Sequence, residues 1–361
     1  MTPTELTDTV LRAVRRAVED GELGMDAAAS VESGRARVVV EPPRPGGHGD
    51  YATNVALQLA GPAALPPRRV AETLRAYLGD ADGIAEVAIT GPGFLNFSLR
   101  PSAAGDLVAG ILRSGERYGH ADGLTGEPVR LHAPCEVRAV VAMDAAARVL
   151  RAQGALVRTS CAAAPPRAWT DVLGAEVAAW GTPERPVPLE VNVRPVPAPA
   201  DPVPLGRDAA RWALLHPAAH DHPHLADAED RAAHLAQRAS NPLFRVRYAH
   251  ARTAALGRNA AALGLAAEPG DVPEQAALTA LLADHPRVLL AAARHRAPDR
   301  LTRHLVQVAD TFLSDLHPAV LPAGEEKPSA AHRARLALAE ATGTVLAGGL
   351  TLLGIDAPAH L

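Results

Sequence analysis

The sequence predicts a mainly helical α+β protein with a small α+β N-terminal domain, a reduced α/β middle and an all-α C-terminal bundle. Three observations lead there. Apolar residues make up 48% of the 361 residues but aromatics only 3%, so the core must be mostly Ala, Leu and Val, and this Ala-rich, helically spaced pattern favours helices. Strand-like alternation occurs only in short stretches of the first half. From Leu205 onward the pattern is helical to the end. The length suits two or three domains.

Thr2-Pro3-Thr4-Glu5 reads as a helix start, with a threonine cap and a proline in the first turn. Leu6, Val10, Val14 and Val18 then make one apolar stripe, with Arg12, Arg15, Arg16 and Glu19 off it. Val38-Val39-Val40 is a short strand, and residues 42–49 form a loop by composition. Residues 52–60 and 68–78 read as helices. Residues 84–89 and 94–99 alternate around Gly91-Pro92-Gly93, a hairpin-like pair. A helix follows to about Tyr118. In the middle, 129–132 and 155–159 read as strands flanking a helix over 138–153, one strand–helix–strand unit and little more. Residues 183–204 carry eight prolines, which cannot hold a helix and read as an extended linker. Loops fall near 216–224, 268–273 and 322–329.

The net charge of −4 provides no global basic field to draw in nucleic acid, but local patches decide RNA contacts. Cys135 and Cys161 are the only cysteines, which fits a reducing cytosol and buried, inert thiols. No apolar run reaches membrane length and no leader pattern opens the chain. The expected location is the cytoplasm, with neither membrane nor DNA as a partner. Lys327 is the only lysine.

Three stretches resemble arginyl-tRNA synthetase. Gly49-Asp50-Tyr51-Ala52-Thr53-Asn54 and Gly91-Pro92-Gly93-Phe94-Leu95-Asn96-Phe97 are similar to the two signatures of that family's N-terminal extra domain. Asn241-Pro242-Leu243-Phe244-Arg245-Val246-Arg247-Tyr248-Ala249-His250-Ala251-Arg252 resembles the opening of its anticodon-binding bundle. Asp208-Ala209-Ala210-Arg211 is close to the Asp-Ala-Leu-Arg element for which that bundle is named. The stretches 285–289 and 348–355 resemble its later helices. The resemblance implies four segments: a tRNA-recognition domain over 1–120, a reduced Rossmann-like remnant over 121–182, a proline-rich linker over 183–204, and an anticodon-binding helical domain over 205–361.

The family's catalytic signatures are missing between these ends. In the family a strand leads into a His-x-Gly-His turn and then a helix. Here Val129-Arg130-Leu131-His132-Ala133-Pro134 resembles the strand and Arg138 onward the helix, with only Cys135, Glu136 and Val137 between. His132 is the nearest candidate and lacks the second histidine and the glycine. The stretch 193–200, where the family's mobile lysine loop would fall, has no lysine. Activation of an amino acid builds charge on the α-phosphate of ATP, which needs donors aimed at it. The expectation is therefore no aminoacylation, no catalytic residue and no cofactor.

Between Arg231 and Ala267 stand six arginines and no acidic residue: Arg231, Arg238, Arg245, Arg247, Arg252 and Arg258. Spacings near two helical turns put several on one face, as phosphate contacts or as a solvated face. A second cluster is Arg287, Arg294, Arg296, Arg300 and Arg303. Phe94 and Asn96 share a strand face, opposite Phe97, and an aromatic plus an amide can stack on an unpaired base and bond its edge. The alternative is that the phenylalanines fill the core. Tyr51 and Asn54 read as a structural loop-to-helix junction. By resemblance, Phe94 and Asn96 form the N-terminal tRNA contact and Arg245, Arg247, Tyr248, His250 and Arg252 the C-terminal one. His216, His220, His222 and His224 have metal-like spacing without cysteine partners, and no metal site is expected. The leading expectation is a non-catalytic, tRNA-binding protein, with arginine-type tRNA and a tRNA-using enzyme as its partners. A protein-interaction module and a residual arginine-tRNA ligase-related enzyme are the alternatives.

Overall fold

The computed structural model describes residues 3–41, 43, 49–99, 102–181, 191–324 and 326–361. The chain divides into two bodies, Met1–Leu107 and Val108–Leu361.

In the first body, α1 (Pro3–Glu19) buries Leu6, Val10 and Val14, the stripe read from sequence. The expected cap, Thr2, and most of the 42–49 loop lie outside the described residues. A short α2 (Met25–Glu32), not foreseen, buries only Ala27 and Ser30. Then follow β1 (Val40–Glu41), β2 (Tyr51–Thr53), α3 (Val55–Leu59), α4 (Pro67–Leu78), β3 (Ile84–Thr90) and β4 (Phe94–Leu99). The strands form an antiparallel sheet in the order β1-β2-β4-β3. Tyr51 pairs with Phe97 and Thr53 with Leu95. This corrects the helix read over 52–60: residues 51–53 are drawn into a strand by β4, and the helix begins only at Val55. Three residues are too few for alternation to show. The core gathers Leu6, Val55, Leu59, Val70, Leu74, Leu95 and Phe97, all fully buried. Gly93 (φ 146°) lies so close to the Pro67 carbonyl that a Cβ would stand 2.9 Å from its oxygen, so only glycine fits this turn.

The second body begins within α5 (Ser102–Ser114), which ends in a 3-10 turn at Gly115–Arg117. Then come β5 (Pro128–Ala133), α6 (Val137–Ala152), β6 (Leu156–Cys161), α7 (Arg167–Asp171), β7 (Ala179–Trp180) and β8 (Val191–Asn192). All pairings are parallel, and the order is β7-β6-β5-β8. Counted from β5 this is 3-2-1-4, the arrangement of a doubly wound sheet about its switch point. The middle is thus more than one strand–helix–strand unit. The two added strands have two residues each and are held by pairing, which no local pattern announces. Residues 191–204 are likewise not a free linker. They are extended, as their prolines require, but docked: Val193 N–H donates to the His132 carbonyl at 2.9 Å and Val196 N–H to that of Ala219 at 2.8 Å. Residues 182–190 lie outside the described residues.

Twelve of the sixteen residues of α6 are buried, because the sheet covers one side and helices the other. Those helices are α8 (Gly206–Leu215), α11 (Ala276–His295), α12 (Pro298–Thr311) and α13 (Ala330–Leu353), with α9 (Ala228–Leu235) and α10 (Pro242–Ala262) completing the bundle. By length and composition Pro273–His295 and Ala330–Leu353 are apolar enough to cross a membrane, contrary to the sequence reading; the second is 83% buried inside the body, as a core helix is. Gly348 and Gly349 let α13 approach the Glu116 carbonyl and the Leu305 side chain closely.

Candidate functional site

The carboxyl ends of β5 and β8 flank the switch point, where open α/β sheets place their ligands. Here the position is filled by the chain itself. Glu136 is the N-cap of α6 in extended conformation. Its carboxylate accepts from the amides of Arg138 (3.0 Å) and Ala139 (2.9 Å), and from Ala198 (3.1 Å) in the segment after β8. The amides that would face a phosphate at a helix N-terminus are thus taken by a carboxylate. Beside it, Arg138 is 1% exposed and donates to five carbonyls, of Leu214, Val196, Asp221, Pro217 and Ala218, at 2.7–3.1 Å. Burial draws this guanidinium below its usual value. His132 is half-buried, and its Nδ1 is 2.9 Å from the Ser160 hydroxyl.

The Asp-Ala-Ala-Arg element on α8 is a clamp. Arg211 is fully buried and donates to the Asp144 carboxylate on α6 (2.6 Å), the Leu353 carbonyl at the end of α13 (2.6 Å) and the Leu173 carbonyl (2.9 Å). Its desolvation is opposed by the charge of Asp144. Asp208 accepts from the Asp356 amide at 3.1 Å and pairs with Arg247 at 3.3 Å. Arg247 is therefore held within the bundle, with a buried Nε that has no partner.

In the first body Phe94 is 40% exposed and Asn96 only 5%. The Asn96 amide donates to the Thr90 hydroxyl at 2.8 Å. The two lie in adjoining same-face positions of β4, but only Phe94 presents surface. Phe97 is fully buried in the core. Tyr51 is buried, and Asn54 stands at the N-cap position of α3 and accepts from Gln58 at 2.7 Å instead of capping.

On α10, Arg245, Tyr248 and Arg252 follow one another at three- and four-residue steps, which share a face. Tyr248 is 38% exposed, stacks on Phe244 with centroids 5.5 Å apart, and has the Arg252 guanidinium 6.0 Å above its ring. Arg245 forks onto Asp310 at 2.7 and 3.3 Å, and Arg252 donates to His317 Nε2 at 2.9 Å. His250 lies off this face, half-buried against the Pro358 carbonyl at 3.0 Å. The structure therefore brings Arg245, Tyr248 and Arg252 together, and sets Arg247 and His250 to holding the bundle. Sequence reasoning missed Arg138, Asp144 and Glu136, whose roles depend on partners dozens of residues away.

His216 stacks on Trp212 (5.2 Å between centroids), and burial lowers its pKa to about 4. Among the described residues no group of three or more His, Cys, Asp and Glu side chains is placed to hold a metal. Cys161 is buried but Cys135 is exposed, which corrects the expectation of two buried thiols: Cys135 lies in the turn beyond β5, not in a strand.

Two family models match the chain: the arginyl tRNA synthetase N terminal domain over residues 5–99 and the DALR anticodon binding domain over 246–361. The arginine–tRNA ligase of Frankia alni is 42% identical over 164 residues, covering 43% of this chain and 28% of that protein. That of Renibacterium salmoninarum is 42% identical over 168 residues, 44% of this chain and 30% of the relative. These matches span less than a third of the relatives' own length. Among solved structures, the Thermus thermophilus arginyl-tRNA synthetase has a TM-score of 0.68 at 14% identity, covering all of both chains. The Plasmodium falciparum enzyme has 0.63 at 8%, covering 99% of each. With both terminal domains and the overall fold matched, the chain carries an arginyl tRNA synthetase N terminal domain and a DALR anticodon binding domain within an arginyl-tRNA synthetase-like fold.

Proposed function

We propose that this chain binds tRNA, with arginine-type tRNA as the preferred class, and does not activate an amino acid. It holds, delivers or senses tRNA for another enzyme. The observation that carries the non-catalytic part is Glu136. Its carboxylate lies across the Arg138 and Ala139 amides of α6 and ties them to Ala198, so a triphosphate arriving there meets a negative charge in place of those two donors. The tRNA-binding part rests on the two matched domains and on the exposed aromatic groups Phe94 and Tyr248, which suit stacking on unpaired bases.

The test pairs two assays. Binding to arginine tRNA and to an unrelated tRNA is followed across a salt series, and arginine-dependent ATP–pyrophosphate exchange is measured on the same preparation. Selective binding that weakens steeply with salt, together with background exchange, is the expected outcome. Absence of tRNA binding at low salt would refute the first half, and exchange above background the second.

A further inference from the structure

We infer that the cavity beyond the carboxyl end of β8 binds a small anionic metabolite, a phosphate or carboxylate carried on an apolar body. The cavity, about 360 Å³, lies between the strand's continuation (Val193, Arg194, Pro195), the end of α8 (Leu214, Leu215) and the α11–α12 junction. That volume falls within the usual range for small-molecule sites, and the edge of a switch point is where such sites form. It is separate from the position that Glu136 fills.

Two features suit it to an anion. The first is Arg296. It ends α11 in the left-handed conformation, φ 50°, a place where glycine or asparagine is usual and a long side chain is strained. Its Nε is buried without a partner, and its remaining bond is a 3.5 Å contact from Nη1 to the Arg294 carbonyl. A glycine would end the helix at lower cost; an arginine puts a guanidinium on the cavity wall. The second is Arg194, exposed on the lip and making no hydrogen bond or ion pair among the described residues. The start of α12 adds no donor, since Pro298 at its first position has no amide hydrogen and Asp299 stands in its first turn. That acid, which lies in the lining, is paired with Arg303. Arg138 also borders the cavity, but its donors are taken by carbonyls. Leu214, Leu215 and Pro195 supply an apolar wall for the rest of the ligand.

The probes are phenyl phosphate, inorganic phosphate and, as the neutral control, phenol, titrated calorimetrically into the full chain. Arg296→Gly is the decisive variant, because it removes the guanidinium and relieves the left-handed strain, and so keeps the fold. Phenyl phosphate binds more tightly than inorganic phosphate and phenol does not bind; affinity falls at least tenfold in R296G and severalfold in R194A, with the Tm of R296G at or above that of the parent. Binding by neither anion, or equal affinity in R296G, overturns the inference. So does loss of tRNA affinity in R296G with phenyl phosphate binding unchanged, which would make Arg296 an RNA contact. Failure here leaves the tRNA-binding reading untouched, since neither Phe94 nor the exposed face of α10 takes part.

Discussion

Arg211 of α8 and Asp144 of α6 form a salt bridge with Nη2 and Oδ2 2.6 Å apart, the two side chains 0% and 1% exposed. Removing Asp144 leaves the Arg211 guanidinium in the core without a counter-charge, and removing Arg211 leaves Asp144 with only the partly exposed Arg148, 3.0 Å away. Arg211→Ala and Asp144→Ala are each expected to cost about 3–5 kcal/mol, whereas a double apolar replacement of matched volume costs much less. Urea denaturation of the two single variants and the double variant checks this; near-equal, additive losses would contradict it.

Glu136→Ala removes the carboxylate from the first turn of α6. The expected cost is about 1–2 kcal/mol, the usual loss for an N-cap, enlarged by release of the Ala198 amide. On the non-catalytic proposal, pyrophosphate exchange is expected to stay at background in this variant. Chemical denaturation and the exchange assay on one sample report both.

Phe94→Ala and Tyr248→Ala are expected to weaken tRNA binding by about 1–3 kcal/mol each, the range for a lost base–aromatic stack, with little change in Tm. Asn96→Ala behaves differently: its amide is buried on Thr90, so stability falls first, by about 1–2 kcal/mol. Anisotropy titrations beside thermal melts separate the two behaviours.

Acid weakens the second body through two buried imidazoles whose rings lie 5.3 Å apart, His285 and His304. Burial lowers the pKa of His304 to about 4 and holds that of His285 well below its usual value. Both are neutral when folded, while an unfolded histidine takes a proton near pH 6.5. Stability is therefore full above pH 6.5 and falls as the pH drops toward 4, by about 3 kcal/mol for His304 alone. Denaturation midpoints from pH 7.5 to 4.5 trace this loss, and His304→Phe flattens the curve. An unchanged slope in that variant would assign the acid sensitivity elsewhere.

The long helices and the β3–β4 hairpin were legible in the sequence because periodicity extends over enough residues to show. The exposed face of α10 was legible for the same reason: Arg245 and Arg252 stand seven residues apart and do share it. What escaped was short or distant. β7 and β8 have two residues each, below any pattern. Arg247 looked like its neighbours in the arginine run, yet Asp208, 39 positions earlier on another helix, holds it inside. Asn96 has the correct strand parity for a base contact, but parity does not show that Thr90 has claimed its amide.

The all-round burial of α6 bears on how this chain can change. A helix with a single apolar stripe tolerates loss of the layer behind it. A helix apolar on every side needs two covers, here the parallel sheet and the α8–α11–α12–α13 face. The sheet and the bundle are therefore expected to unfold as one cooperative unit. A change that stripped either cover from α6 would lay apolar residues bare to water.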